Sequence, residues 1–218
     1  MKTRIHNKLI LVAIVFPHLQ AFSYLANKKI TMQDDLKQAL EVLRNGGIIL
    51  YPTDTIWGIG CDATNADAVK RIYELKQRAD SKSMLVLMDN TAKLSGYVND
   101  IPEVAFDMAE LTTKPLTIIY DDAKNLASNL LAEDGSVGIR ISEEEFSKQL
   151  CARFKKPIVS TSANISGEPS PQNFDQISDA IKEGVDYIVK FRQEETKNPA
   201  PSSIIKLTKD GQVTIIRE

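Results

Sequence analysis

The sequence predicts an α/β domain built on an open, twisted, mixed sheet with flanking helices. Three observations predict it. Short apolar runs such as "GIILYP", "SMLVLM" and "KPIVS" have the length of strands and end at turn residues. Stretches with apolar residues at helical spacing alternate with them, as layered α/β folds require. The chain closes on "SSIIKLTKDGQVTIIRE", a hairpin around Asp210-Gly211, so part of the sheet is antiparallel.

The elements follow in order. Residues 33–45 form a helix with Leu36, Ala39, Leu40 and Leu43 on one face, stopped at Gly46-Gly47. "GIILYP" is a buried strand ended by Pro52, and "TDTIWGIGCDATN" a turn-rich loop. Residues 66–77 form a second helix, "SMLVLM" a strand and "IPEVAFDMAEL" a helix. "PLTIIY" and "SVGIRI" are strands. Ser142 and Glu145 have the spacing of a capping box for the helix "EEEFSKQLCARF". "KPIVS" is a strand, "FDQISDAIKEG" a helix and "VDYIVK" a strand. "RQEETKNPAP" is polar and proline-bearing, the composition of a surface loop.

The 218 residues suit one domain with a sizeable core. Net charge is −2, so no global field draws the chain to nucleic acid, although a local basic groove is compatible with that balance. Cys61 and Cys151 are far apart and show neither a disulfide framework nor zinc-ligand spacing. The two histidines, His6 and His18, lie in the first twenty residues. That segment pairs a basic start with "LILVAIVF", too short and too interrupted to span a bilayer. It reads as a leader or a mis-assigned start. Residues 1–31 are therefore expected to lie outside the fold, with 32–218 as the domain. A body without histidine excludes Ser-His-Asp and Cys-His hydrolysis.

Four stretches could carry chemistry. "YPTDTIWGIG" places Thr53, Asp54 and Thr55 just after a strand, where α/β sheets bind ligands; its plain structural reading is a self-capped turn. "KQRADSK" supplies Lys76, Arg78 and Lys82, either a clamp for a triphosphate or cations complementing a helix C-terminus. "SVGIRIS" sets Arg140 inside a strand, facing water or a substrate carboxylate. "STSANISGEPSP" offers Ser160, Thr161, Ser162 and Asn164 at the end of a strand, a group of neutral donors able to hold an anion without net charge. No Walker loop occurs.

Taken in order, "GGIILYPTDTIWGIGCDATN", "KRIYELKQR", "VGIRIS", "PIVSTSANISGEP" and "PSSIIKL" resemble the YrdC-like family of threonylcarbamoyl-AMP synthases, in its short single-domain form, over about residues 33–217. The resemblance implies a cavity lined by positive charge. It also implies an enzyme that makes threonylcarbamoyl-AMP and pyrophosphate from L-threonine, bicarbonate and ATP. A separate transferase complex would then modify an adenosine of tRNA. By the same resemblance, Thr55, Arg140 and Ser160 are threonine contacts, and Lys76, Arg78 and Lys82 are the basic, catalytic cluster over the phosphates. Ser162 and Asn164, with Ser136, Ser170 and Ser202, line the nucleotide pocket. Magnesium arrives with ATP, no side chain ligates a metal, no organic cofactor is implied, and the location is cytoplasmic without membrane attachment. Two stretches depart from the family pattern: "KQRA" with "KSM", and "TTKPLT". A YciO-like paralogue, binding nucleotide, tRNA or double-stranded RNA, is the competing reading.

The chemistry suits such residues. A threonine carbamate is already an anionic nucleophile for the α-phosphorus. Positioning and phosphate neutralisation matter more than a titrating base.

Overall fold

Leu36, Ala39, Leu40 and Leu43 recur at helical spacing, and all four are buried. Helix α1 carries them through 31–44, and Gly46 ends it in a left-handed turn at φ 76°. The computed structural model describes residues 31–77, 84–196 and 201–218. Met32 is itself a core side chain, so the packed body includes the residue at which the domain was expected to open.

Strand β1 is Ile49–Tyr51 and β2 is Gly58–Gly60; they pair antiparallel. The expected loop at "TDTIWGIGCDATN" thus contains a strand. Two glycines in three residues carry almost no strand preference, which hides it in the sequence. Space is what demands Gly60, since a Cβ there would lie 2.6 Å from the Val159 carbonyl and 2.7 Å from the Tyr51 ring. Helix α2, Ala66–Leu75, is capped by the Asn65 side chain and buries Ala68, Val69, Ile72 and Tyr73. Next come β3 (Leu85–Met88), α3 (Val104–Leu111), β4 (Leu116–Tyr120) and β5 (Val137–Ile141).

Helix α4 spans Glu145–Phe154, and its cap differs from the expected Ser142–Glu145 box. The Ser142 N–H still donates to the Met88 carbonyl, continuing the strand pairing, while Glu144 accepts from the Ser147 N–H at 2.8 Å. Strand β6 is Ile158–Ser162, so Ser160, Thr161 and Ser162 belong to the strand itself. The expected helix at "FDQISDAIKEG" divides into a 3₁₀ turn, Phe174–Gln176, and the short α5, Asp179–Glu183. Of "VDYIVK" only Tyr187–Ile188, β7, pairs, and it does so with β1. The terminal hairpin is β8 (Ser203–Leu207) and β9 (Val213–Arg217).

Among the described residues the strands form one nine-stranded mixed sheet, in the order β7-β1-β2-β6-β3-β5-β4-β8-β9. β1–β7, β3–β5 and β4–β8 are parallel, while the other neighbouring pairs are antiparallel. Alternation along the strands sorts the two faces. Val86, Ile118, Ile139, Val159, Ile205 and Leu207 are buried in the hydrophobic core. Gly58, Ser160, Leu85, Gly138, Thr117 and Ile204 share the opposite face. A Cβ on Gly138 would touch Thr117 and Leu85, and one on Gly58 would touch Ser160, which fixes these side chains to one surface.

Candidate active site

That second face is concave. One cavity of about 400 Å³ is lined by Thr55, Trp57, Arg140, Ser160, Ser162, Ser170, Ser202 and Arg217 among others. A second, of about 700 Å³, is lined by Thr117, Asp134, Ser136, Gly138 and Lys206. Met84, Leu85 and Ile204 line both, so the two are compartments of one trough across the sheet.

Thr53 makes the floor of the smaller compartment rigid. Its Oγ1 accepts from the Thr55 N–H at 3.1 Å, lies 3.2 Å from Thr55 Oγ1 and donates to the Ile56 carbonyl at 2.7 Å. The self-capped turn read from the sequence therefore exists, and it is what aims Thr55. Arg140 reaches the same place from β5. Its Nη2 donates to Thr55 Oγ1 at 3.4 Å and lies 2.9 Å from Asp54 Oδ1. Arg140 is only 3% exposed, and its Nε is buried without a hydrogen-bond partner. A buried guanidinium donor left unpaired is costly. Burial pushes the Asp54 carboxyl above its ordinary range, and the adjacent Arg140 only partly offsets this.

Ser160, Ser162, Ser170 and Ser202 line the same compartment as Thr55 and Arg140. Ser202 Oγ lies 2.9 Å from Thr117 Oγ1, and its carbonyl accepts from Arg217 Nη2 at 2.7 Å. Ser136 lies in the larger compartment, where its N–H donates to Asp134 at 3.0 Å. Asn164 is not among the lining residues of either compartment. Its amide donates to the Ile165 carbonyl at 2.9 Å and the Glu168 carbonyl at 2.7 Å, shaping the turn after β6. Lys76 does not line the compartments either: it is 1% exposed, and its ammonium donates to the Ser162 and Asn164 carbonyls. Arg78 and Lys82 lie outside the described residues. Without them the described lining is mixed in charge, with Arg140 and Arg217 in one compartment and Lys206 beside Glu133 and Asp134 in the other.

Sequence reading missed three contributors. Arg217 sits in a strand that looks like an ordinary closing hairpin. Trp57 lines the cavity and packs on Phe174 at 5.0 Å between ring centroids, though nothing local distinguishes it from a core aromatic. Arg192 lies in a stretch read as surface loop, yet donates to the Thr53 carbonyl at 3.1 Å.

Sheet, trough and buried arginine define an α/β protein with a polar, arginine-bearing cavity on one open sheet face. Residues 41–218 match the Sua5/YciO/YrdC family, described as "Telomere recombination", and the chain belongs to that family. It is 32% identical over 184 residues to a threonylcarbamoyl-AMP synthase of Pseudoalteromonas translucida, covering 83% of this chain and 97% of the relative. It is 34% identical over 192 residues to a putative threonylcarbamoyl-AMP synthase of Methanocaldococcus jannaschii, covering 85% and 88%. Among solved structures, P. abyssi Sua5 complexed with L-threonine superposes with TM-score 0.76 at 26% identity, covering 84% of this chain and 53% of that one. The present chain thus spans about half the length of that Sua5. E. coli YciO superposes with TM-score 0.72 at 27% identity, covering 84% and 88%.

Proposed function

We propose that this chain is a threonylcarbamoyl-AMP synthase. It joins L-threonine, bicarbonate and ATP into threonylcarbamoyl-AMP and releases pyrophosphate. The observation that carries the reading is buried Arg140 in contact with Thr55, in a cavity they line together with Ser160, Ser162 and Ser202. A guanidinium in the cavity lining suits a carboxylate, and the hydroxyls suit a second anion without adding charge. The relatives named as synthases favour this reading over a paralogue that only binds nucleotide or RNA.

In the proposed reaction the free threonine amine attacks the bicarbonate carbon, the bicarbonate hydroxyl leaves with an amine proton as water, and a carbamate remains. A carbamate oxygen then attacks the α-phosphorus, and the bond to the departing pyrophosphate breaks. Arg140, with Thr55 and Ser160, holds the threonine carboxylate. Ser136, Ser162, Ser170 and Ser202 receive the nucleotide, with Lys76 and Asn164 shaping the turn beside it. Arg78 and Lys82 neutralise the triphosphate, whose magnesium ion arrives with it. Fixed cations and donors are sufficient because both reactants are anionic and need alignment more than proton transfer. The product would pass to a separate transferase acting on tRNA in the cytoplasm. No helix among the described residues is long and apolar enough to cross a membrane.

Pyrophosphate release from ATP, with and without threonine and bicarbonate, tests the proposal. Release that needs threonine, and that other amino acids fail to support, is the expected result. Arg140→Ala should raise the threonine requirement far more than the ATP requirement. ATP turnover indifferent to threonine would overturn the assignment.

A further inference from the structure

Arg192 has an unusual backbone for an arginine. Its φ is 69°, in the left-handed region that side chains other than glycine, asparagine and aspartate seldom enter. Such a conformation persists only where surrounding contacts impose it. Here Asp35, a buried carboxylate on α1, accepts from the Lys190 N–H at 3.0 Å, the Phe191 N–H at 2.7 Å and the Tyr187 hydroxyl at 2.6 Å. The chain is pinned immediately before residue 192, and the guanidinium is delivered to one spot.

That spot joins a cavity-lining turn to the start of α4. Arg192 Nη1 donates to the Thr53 carbonyl at 3.1 Å and lies 3.0 Å from Glu144 Oε1. Its Nε donates to Glu195 at 2.8 Å. Thr53 is the residue whose hydroxyl sets the turn presenting Thr55. Glu144 follows Arg140 by four positions, and its second oxygen caps α4 through Ser147. One side chain therefore ties the Thr55 turn to the N-cap of α4, three residues beyond the end of the Arg140 strand. The Arg192 side chain is 21% exposed and is not among the cavity-lining residues.

The geometry points to Arg192 as a positioning residue for the amino-acid side of the site: it fixes the spacing between Thr55 and Arg140 and thereby the affinity for the amino-acid substrate. This rests on the synthase reading, because it takes the ligand held by those two residues to be threonine. A purely structural role would make a different demand. If Arg192 only stabilised the fold, its loss would lower the melting temperature and weaken both substrates together.

Arg192→Gly separates the two, because glycine accepts the left-handed backbone while the side chain is lost. In the full-length protein, steady-state pyrophosphate release is measured against threonine and against ATP, beside a thermal melt. The expected result for Arg192→Gly is a KM for threonine raised about tenfold, the size of one lost charge-assisted contact. Its KM for ATP should stay within about twofold and its melting temperature within a few degrees of wild type. Arg192→Lys, which retains one charge but not the planar fork, should fall between the glycine variant and wild type. An unchanged KM for threonine in Arg192→Gly overturns the inference, as does a parallel rise for both substrates with a lowered melting temperature. A wild-type protein that releases no threonine-dependent pyrophosphate defeats the synthase reading itself, an outcome visible before any variant is made.

Discussion

The Lys76 ammonium lies 2.6 Å from the Asn164 carbonyl, directly beneath the turn that follows β6. Lys76 caps the end of α2, so this contact fixes the helix end to the strand that carries Ser160 and Ser162. Its own carbonyl accepts from the Ser166 N–H at 2.8 Å, a second tie to the same turn.

Lys76→Met should therefore reduce stability as well as activity. Methionine fills similar space but leaves the Ser162 and Asn164 carbonyls without that donor, at a cost of about 3 kcal/mol. Urea denaturation measures the loss. A variant as stable as wild type but unable to use ATP would place the ammonium's role on the nucleotide instead.

The Asp54 carboxyl predicts a pH dependence. Its folded-state value is raised above the ordinary 3.8, first by burial and against the pull of Arg140. A carboxyl raised in this way binds a proton more readily folded than unfolded, so its contribution to stability falls as pH rises from 3.8 through the shifted value. Asparagine does not titrate. The stability of Asp54→Asn relative to wild type should therefore increase across that window and level off above it. Urea midpoints at a series of pH values test this, and a constant difference would contradict the desolvated carboxyl.

Gly138 predicts a separation of binding from folding. It forms the trough floor on β5, where a Cβ would come within 3.2 Å of the Thr117 methyl. Gly138→Val suits a strand but places two further methyls in the larger compartment. The melting temperature should move by only a few degrees, while ATP binding weakens about tenfold, measured by calorimetry. Unchanged ATP affinity would place the nucleotide elsewhere.

Much of the fold was legible because burial imposes period and length. α1 through α4, the central strands and the Asp210-Gly211 hairpin follow from apolar spacing and turn residues. β2 was hidden because close backbone approach, not strand preference, selected Gly58 and Gly60. The Ser142 cap was misplaced because strand pairing to Met88 outcompeted the local capping pattern. Thr55, Arg140, Ser160, Ser162 and Ser202 could be named from the sequence and line one compartment.

The sequence by itself determined the α/β class, the kinds of donor at the site and the absence of histidine from the body. Only the tertiary structure decided where those donors point. It kept Lys76 and Asn164 out of the cavity lining, left Arg140 Nε without a hydrogen-bond partner, and brought Asp35 and Arg192 to bear on Thr53 across more than a hundred residues of chain. Local propensity acts over a few residues. Burial, ion pairing and left-handed backbone at such distances are settled only when the whole core packs at once.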